Sequence, residues 1–372
     1  MGEIGLELDR LIRILENPPS VLRPAILPDF FLDHFVVTEK IEDFVDGLIQ
    51  LASQGGGNLL GSFQFIRPGG NTVNTASALL KMGLDPLMVI TTDEYGASML
   101  KALVDSDLDL SHVHTDGALS ATVSIEGEYQ GRHVNLMVSD SGSAAKFTIN
   151  DLTEEDITAI KNCGLVALLN LNHNTAGVEF VTDLFSQLEG NNITKLIDTG
   201  DPSARPNMVQ DLTDKVLAQK IVDVIGVNEN EVCWFAWALD KRNERWREQI
   251  SHPEHWIKAG KYVSTETGVR VDLHTPYFAA SILADEITCT PTFEVIPKIT
   301  LGAGDTWNAG NIFGILHELE PLDRLVLANS AAALYVSSRN TNHPYLEEII
   351  RFLKNPPRLS HIGTKLLKSD CK

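Results

Sequence analysis

In the last quarter of the 372-residue chain stands the stretch Thr300-Leu301-Gly302-Ala303-Gly304-Asp305-Thr306-Trp307-Asn308-Ala309-Gly310. Gly302 and Gly304 open backbone conformations closed to other residues and let a ligand approach the chain closely. The β-prone run Thr292-Phe293-Glu294-Val295-Ile296 precedes them, and Ile312, Phe313, Leu316 and Leu319 follow at helical spacing. The spacing predicts a strand, a tight turn and a helix start. The first amides of such a helix have no intrahelical acceptor and sit at the positive end of its dipole, which suits a phosphate. A carboxylate beside that phosphate is repelled by it, so Asp305 is better suited to accept a proton from an attacking hydroxyl. The alternative is that Asp305 only caps its helix.

Two further stretches have the same strand-to-helix form. Leu59 to Ile66 alternates Phe63 and Phe65 against Ser62 and Gln64, which predicts a strand ended by Arg67-Pro68-Gly69-Gly70. A helix is predicted over Asn71 to Met82, with Val73, Ala76, Leu79 and Leu80 apolar, so the glycine pair again sets amides at a helix start. Two glycines before a helix need no ligand, however. Asn228-Glu229-Asn230-Glu231 follows the apolar run Ile221 to Val227, and an N-cap Asn with Glu three residues on is close to a capping box.

These three motifs, in this order, resemble those of the ribokinase-like (PfkB) carbohydrate and nucleoside kinases, and the resemblance covers roughly residues 27 to 353. It implies an α/β, three-layer fold: a mainly parallel central sheet, helices on both faces, and a small β-sheet lid. It also implies transfer of the γ-phosphoryl of ATP, with Mg2+, to a hydroxyl of a small sugar. By the same resemblance Asp305 is the base, with Gly302, Ala303 and Gly304 around the transferring charge. Asp33, Gly69, Gly70 and Asn74 hold the acceptor, Asn228 and Glu231 organise magnesium and phosphate, and Thr265 and Gly268 lie near the nucleotide phosphates. Asn329, on a helix predicted within residues 321 to 338, flanks the adenine, although small residues such as Ala328 and Ala332 equally serve tight helix packing. A carboxylate such as Asp33 accepts hydrogen bonds from two adjacent hydroxyls at once.

The remaining elements must position those groups. Apolar runs at Leu165 to Leu171, Thr194 to Asp198, Val222 to Val227 and Tyr262 to Thr265 alternate with helical patterns, which predicts βαβ units with ligands at the carboxyl ends of the strands. Asp198-Thr199-Gly200-Asp201-Pro202 falls at one such end, as a metal pair or as turn formers. Ala121 to Glu126 and Arg132 to Val138, around Gly127 and Gly131, predict a hairpin. By resemblance this hairpin, with parts of residues 35 to 66, forms the lid, and Arg132 is its candidate contact to the acceptor. The expected organisation is a helical extension over residues 1 to 24, a kinase domain over 25 to 356 with lid strands within 35–66 and 118–140, and a tail over 357 to 372. Many relatives carry Asp where this chain has Ile299, which puts monovalent-cation activation in doubt.

Composition narrows the alternatives. The formal net charge of -20, with no long basic run, disfavours nucleic acid and anionic membranes as partners. Cys163, Cys233, Cys289 and Cys371 form no CxxC pair, so neither a zinc site nor a disulfide framework is expected, and a reducing cytoplasm is the simplest compartment. No 18-residue apolar run or signal-like N-terminus occurs. The expected partners are a sugar or nucleoside and a nucleotide, with a homodimer through exposed lid strands as the family often forms. Alternatives are a nucleoside or phosphosugar as acceptor, ADP as donor, and a kinase-shaped regulator that binds without turnover.

Overall fold

Leu165 and Ala167 pack into one hydrophobic cluster while Val166 and Leu168 pack into another. Such alternation is what a strand covered on both faces requires. Neighbouring strands repeat it, with Ile26, Leu196 and Val224 on one side and Leu27, Ile197 and Ile225 on the other. The computed structural model describes residues 2–338 and 342–370, with side chains from residue 8 to residue 368 of those spans.

The central sheet has eight strands, in the spatial order Glu286–Pro291, Phe278–Leu283, Arg270–His274, Val224–Val227, Thr194–Asp198, Leu165–Leu168, Pro24–Leu27 and Leu87–Met88. From Arg270–His274 to Leu87–Met88 all pairings are parallel, and the two strands at the other edge are antiparallel. Helices Gly177–Gln187, Glu229–Leu239 and Trp256–Thr267 cover one face, and Asn71–Lys81, Ala303–Leu316 and Pro321–Ser337 the other. This is the three-layer arrangement with a mainly parallel sheet that the resemblance implied.

A second sheet stands apart from the first, with order Phe63–Gly69, Phe31–Lys40, Ala121–Tyr129 and Arg132–Asp140. It contains the expected hairpin, in antiparallel register from Ala121↔Asp140 to Tyr129↔Arg132. It also includes a helix, Ile41–Ser53, between its first two strands in sequence. The N-terminal helix Gly2–Glu16 buries Leu11 and Leu15 in the same cluster as Ile349 and Leu353 of helix Leu346–Lys354, and Arg10 pairs with Asp323 at 2.6 Å. The chain ends in a helix, His361–Asp370.

Three local expectations are corrected. Tyr262 to Thr265 is not a strand but the end of helix Trp256–Thr267, whose buried residues Trp256, Ile257, Gly260, Val263, Ser264 and Thr267 follow the helical period. Thr292 to Ile296 is not a strand either: Phe293 makes an isolated bridge to Leu359, Ile296 is exposed, and the strand is Glu286–Pro291. The strand predicted from Leu59 is Phe63–Gly69 and so runs into the glycine pair. Cys163 and Cys233 are buried free thiols, whereas Cys289 is disulfide-bonded, against the expectation from cysteine spacing. Cys371 lies outside the described residues. No described helix is long and apolar enough to cross a membrane.

Candidate active site

Between the lid and the carboxyl ends of the parallel strands lies a cleft of about 780 Å³, lined among others by Asp33, Arg67, Gly70, Asn74, Gly302 and Asp305. Ligands in parallel α/β sheets bind at these ends because the strand-to-helix turns converge there.

At the Asp305 end the turn is built as the glycines predict. Gly302 sits at φ +83°, a left-handed conformation, and a Cβ there would meet the Tyr335 hydroxyl at 2.5 Å. That hydroxyl donates to the Leu301 carbonyl at 2.9 Å and holds the turn. Helix Ala303–Leu316 then begins without a side-chain cap. The Ala303 amide donates to the Thr300 carbonyl at 3.1 Å, so it is already engaged, which corrects the expectation that it faces the transferring charge. Among the described residues the Gly304 and Asp305 amides have no backbone acceptor. Two free amides at a helix start remain an anion site.

Asp305 is buried, and its carboxylate accepts from Asn74 Nδ2 at 2.8 Å. Asn74 lies in the first turn of helix Asn71–Lys81, so this bond joins two of the three motifs across 231 residues of chain. Burial pushes the Asp305 carboxyl well above the usual range; the Asn74 amide partly opposes this, and Asp198, Asp29 and Asp33 repel the charge further. A carboxylate raised in this way is suited to take a proton near neutral pH.

The acceptor-side residues are arranged differently from expectation. Asp33, which by the resemblance ends the first central strand Pro24–Leu27, is instead on the lid strand Phe31–Lys40. The carboxylate at that strand end is Asp29, which sequence reasoning passed over. Asp29 accepts from the amides of Asn71 at 3.0 Å and Thr72 at 2.9 Å and from Asn170 Nδ2 at 2.8 Å. The amides of Asn71 and Thr72 at this helix start are therefore capped by the protein. The glycine pair makes room for carboxylates: a Cβ on Gly69 would lie 2.1 Å from Asp33 Oδ2, and one on Gly70 2.9 Å from the Asp29 carbonyl. Asp33 faces the cleft, and its carboxyl is raised to about 7 by burial and by Asp29, offset in part by the Thr122 hydroxyl.

Asn228 and Glu231 form a complete capping box at the start of helix Glu229–Leu239. Glu231 accepts from the Asn228 amide at 2.9 Å and from its Nδ2 at 2.8 Å, and Asn228 Oδ1 accepts from the amides of Asn230 and Glu231. Beside them Asp198 accepts from Gly200 and Asn308, and Asp201 caps Ser203. Burial raises both carboxyls, and repulsion adds to it, from Asp198 and neighbouring acids at Glu231 and from Asp29 at Asp198. Asn308 Oδ1 and Thr199 Oγ1 are buried next to Asp198 with no hydrogen-bond partner among the described residues.

Four candidates are not brought to the cleft. Thr265 is exposed on its helix, and Gly268 caps that helix beside Lys220 at the amino end of strand Arg270–His274, the wrong end of the sheet. The carboxyl end of that strand carries His274 and Thr275 instead. Arg132 is exposed at the hairpin tip, opposite Tyr129. Asn329 is buried, accepting from Trp307 Nε1 at 3.0 Å and donating to the Pro291 carbonyl at 3.3 Å, so its side chain joins a helix to the sheet edge. Arg67 does line the cleft, as does Lys81, and the signal for Arg67 was present: Phe63, Phe65 and Arg67 share one face of a period-two strand.

Comparison with known proteins agrees with this layout. A family model described as pfkB family carbohydrate kinase matches residues 49–349. A search of curated proteins found no match. Among solved structures, a ribokinase from Arabidopsis thaliana complexed with ribose and ATP superposes with a TM-score of 0.67 at 16% identity, over 90% of this chain and 99% of that one. A ribokinase from Thermotoga maritima gives 0.67 at 17% identity, over 90% and 100%. Phosphofructokinase-2 from Escherichia coli in complex with fructose-6-phosphate gives 0.62 at 15% identity, over 90% and 100%. At these identities the structures establish a shared ribokinase-like fold, while the family match spans most of the sequence, and the chain therefore belongs to the pfkB family of carbohydrate kinases.

Proposed function

We propose that the protein transfers the γ-phosphoryl of ATP to a hydroxyl of a small sugar. The observation that supports this most is the Asp305 turn: a buried, proton-seeking carboxylate fixed by Asn74, next to the unengaged amides of Gly304 and Asp305, at the floor of a cleft. Asp305 takes the proton from the attacking hydroxyl, and the two amides meet the charge on the transferring group. Asn74 aims the carboxylate, and Asp33 accepts from acceptor hydroxyls. The lid closes over the acceptor and keeps out water, which competes for the phosphoryl group.

Magnesium fits the carboxylates around Asp198. Burial and neighbouring acids disfavour the ionised forms of Asp198 and Glu231, which a cation would offset, and the unpartnered oxygens of Asn308 and Thr199 would accept from its water. Among the described residues no three His, Cys, Asp or Glu side chains converge as a metal cage, so Asp198, Asp201 and Glu231 would hold the ion through its waters, as magnesium allows. The ion supplies charge neutralisation of the polyphosphate when bound. ATP as donor is in keeping with the ATP-complexed Arabidopsis ribokinase.

The test crosses donors against acceptors: ATP and ADP with a panel of pentoses, hexoses and nucleosides, following phosphorylated product. ATP-dependent product with at least one sugar is the expected result. Binding of sugars without transfer from either nucleotide would leave a non-catalytic regulator instead.

A further inference from the structure

Arg67 lies on lid strand Phe63–Gly69 and lines the cleft. Its guanidinium rests 4.6 Å from the Phe65 ring centroid and 5.7 Å from that of Phe35, the two rings being stacked at 4.7 Å. Contact with the two rings steadies the guanidinium without using its N–H groups. Among the described residues it has no ion pair and no hydrogen bond, although the chain carries an excess of acidic groups. In the lid register Arg67 is directly opposite Asp33, so the two side chains share the face toward the cleft. They nevertheless stay apart, with the Asp33 carboxyl packed over Gly69.

The other cleft cations are engaged or neutral. Lys81 donates to Asp105 and to the Tyr345 hydroxyl at 2.8 Å. His173 is lowered from its ordinary value by burial, and His343 to about 4 by burial and Lys81. An unpaired, half-buried guanidinium beside a carboxylate it does not touch is an arrangement that a ligand with both hydroxyls and an anionic group completes. We infer that the phosphoryl acceptor carries an anionic substituent, a phosphate ester or a carboxylate, which Arg67 grips bidentately while Asp33 receives hydroxyls of the same molecule. The inference rests on the kinase reading for its term "acceptor", but the recognition itself does not require turnover. Both anions match the guanidinium fork in spacing and planarity.

The experiment uses matched sets with saturating ATP: a neutral sugar, its terminal phosphate monoester and its aldonic acid. For one anionic class kcat/KM is expected to exceed that of the neutral parent at least ~10-fold, and comparison of the monoester with the acid identifies which. Arg67→Gln should lower kcat/KM for that acceptor about 10- to 100-fold, mainly through KM, lower it for the neutral parent far less, and be partly rescued by Arg67→Lys. Equal losses on neutral and anionic sugars, or preference for the neutral sugar, overturn the inference and leave the kinase reading standing. If nothing is phosphorylated, thermal shift decides: stabilisation by an anionic sugar in the wild type but not in Arg67→Gln supports the inference while the kinase reading falls. Equal shifts in both proteins sink it.

Discussion

The two ends of the site handle their polar groups in opposite ways. Around Asn228 and Glu231, and again at Asn329, most of the donors and acceptors that the family pattern assigns to a ligand are met by the protein's own groups. Around Asp305, among the described residues, the amides of Gly304 and Asp305 have no backbone acceptor, and Arg67 makes no ion pair or hydrogen bond. Buried polar groups are ordinarily satisfied, so spare hydrogen-bonding capacity marks where a ligand belongs and a completed local motif marks where the fold is held. The contrast turns a set of motif residues into two classes with different expected behaviour on mutation.

The sharpest test of the first class is Asp305→Asn, which preserves shape and loses the proton acceptor. It should lower kcat by about 10²–10⁴ with a smaller change in KM and little change in melting temperature. Near-full turnover in that variant would remove Asp305 from the chemistry and with it the contrast. Next in size is Asp33. Its carboxyl is raised to about 7 in the folded protein from 3.8, so kcat/KM should climb as pH rises through about 7 and this limb should vanish in Asp33→Asn. Stability runs the other way. The unfolded chain releases this proton first, so Asp33 makes folding less favourable as pH rises from about 4 through about 7, and Asp33→Asn should melt higher than wild type at pH 8. A pH–rate limb unchanged by the substitution would dissociate Asp33 from acceptor binding. The smallest kinetic effect is expected from the second class: Asn329→Ala should cost about 1–3 kcal/mol of stability by orphaning Trp307 Nε1, with KM for the nucleotide nearly unchanged. A large rise in that KM at constant stability would move Asn329 into the ligand-binding class.

Several elements were legible because their causes are local. The Asn228 capping box joins residues three apart, and the lid hairpin follows from period-two alternation around Gly127 and Gly131. Tyr262 to Thr265 was misread because a short apolar run fits a strand and a helix equally, and only the longer burial pattern from Trp256 decides. Asp29 was missed since nothing near it in sequence reveals that it caps a helix starting at Asn71. Thr265 and Gly268 were assigned to the wrong end of the sheet once the strand was placed one element too early.

The amino-acid sequence by itself determined many of the turns and helix starts, since these depend on backbone freedom at glycine and on interactions within a few residues. The fold alone decided that Asn74 reaches Asp305 from 231 residues away, that Asp29 takes the amides of Asn71 and Thr72, and that Arg67 faces the cleft without an ion pair among the described residues. Whether a polar group is satisfied depends on what packs against it, and packing joins segments whose separation along the chain carries no signal of their contact.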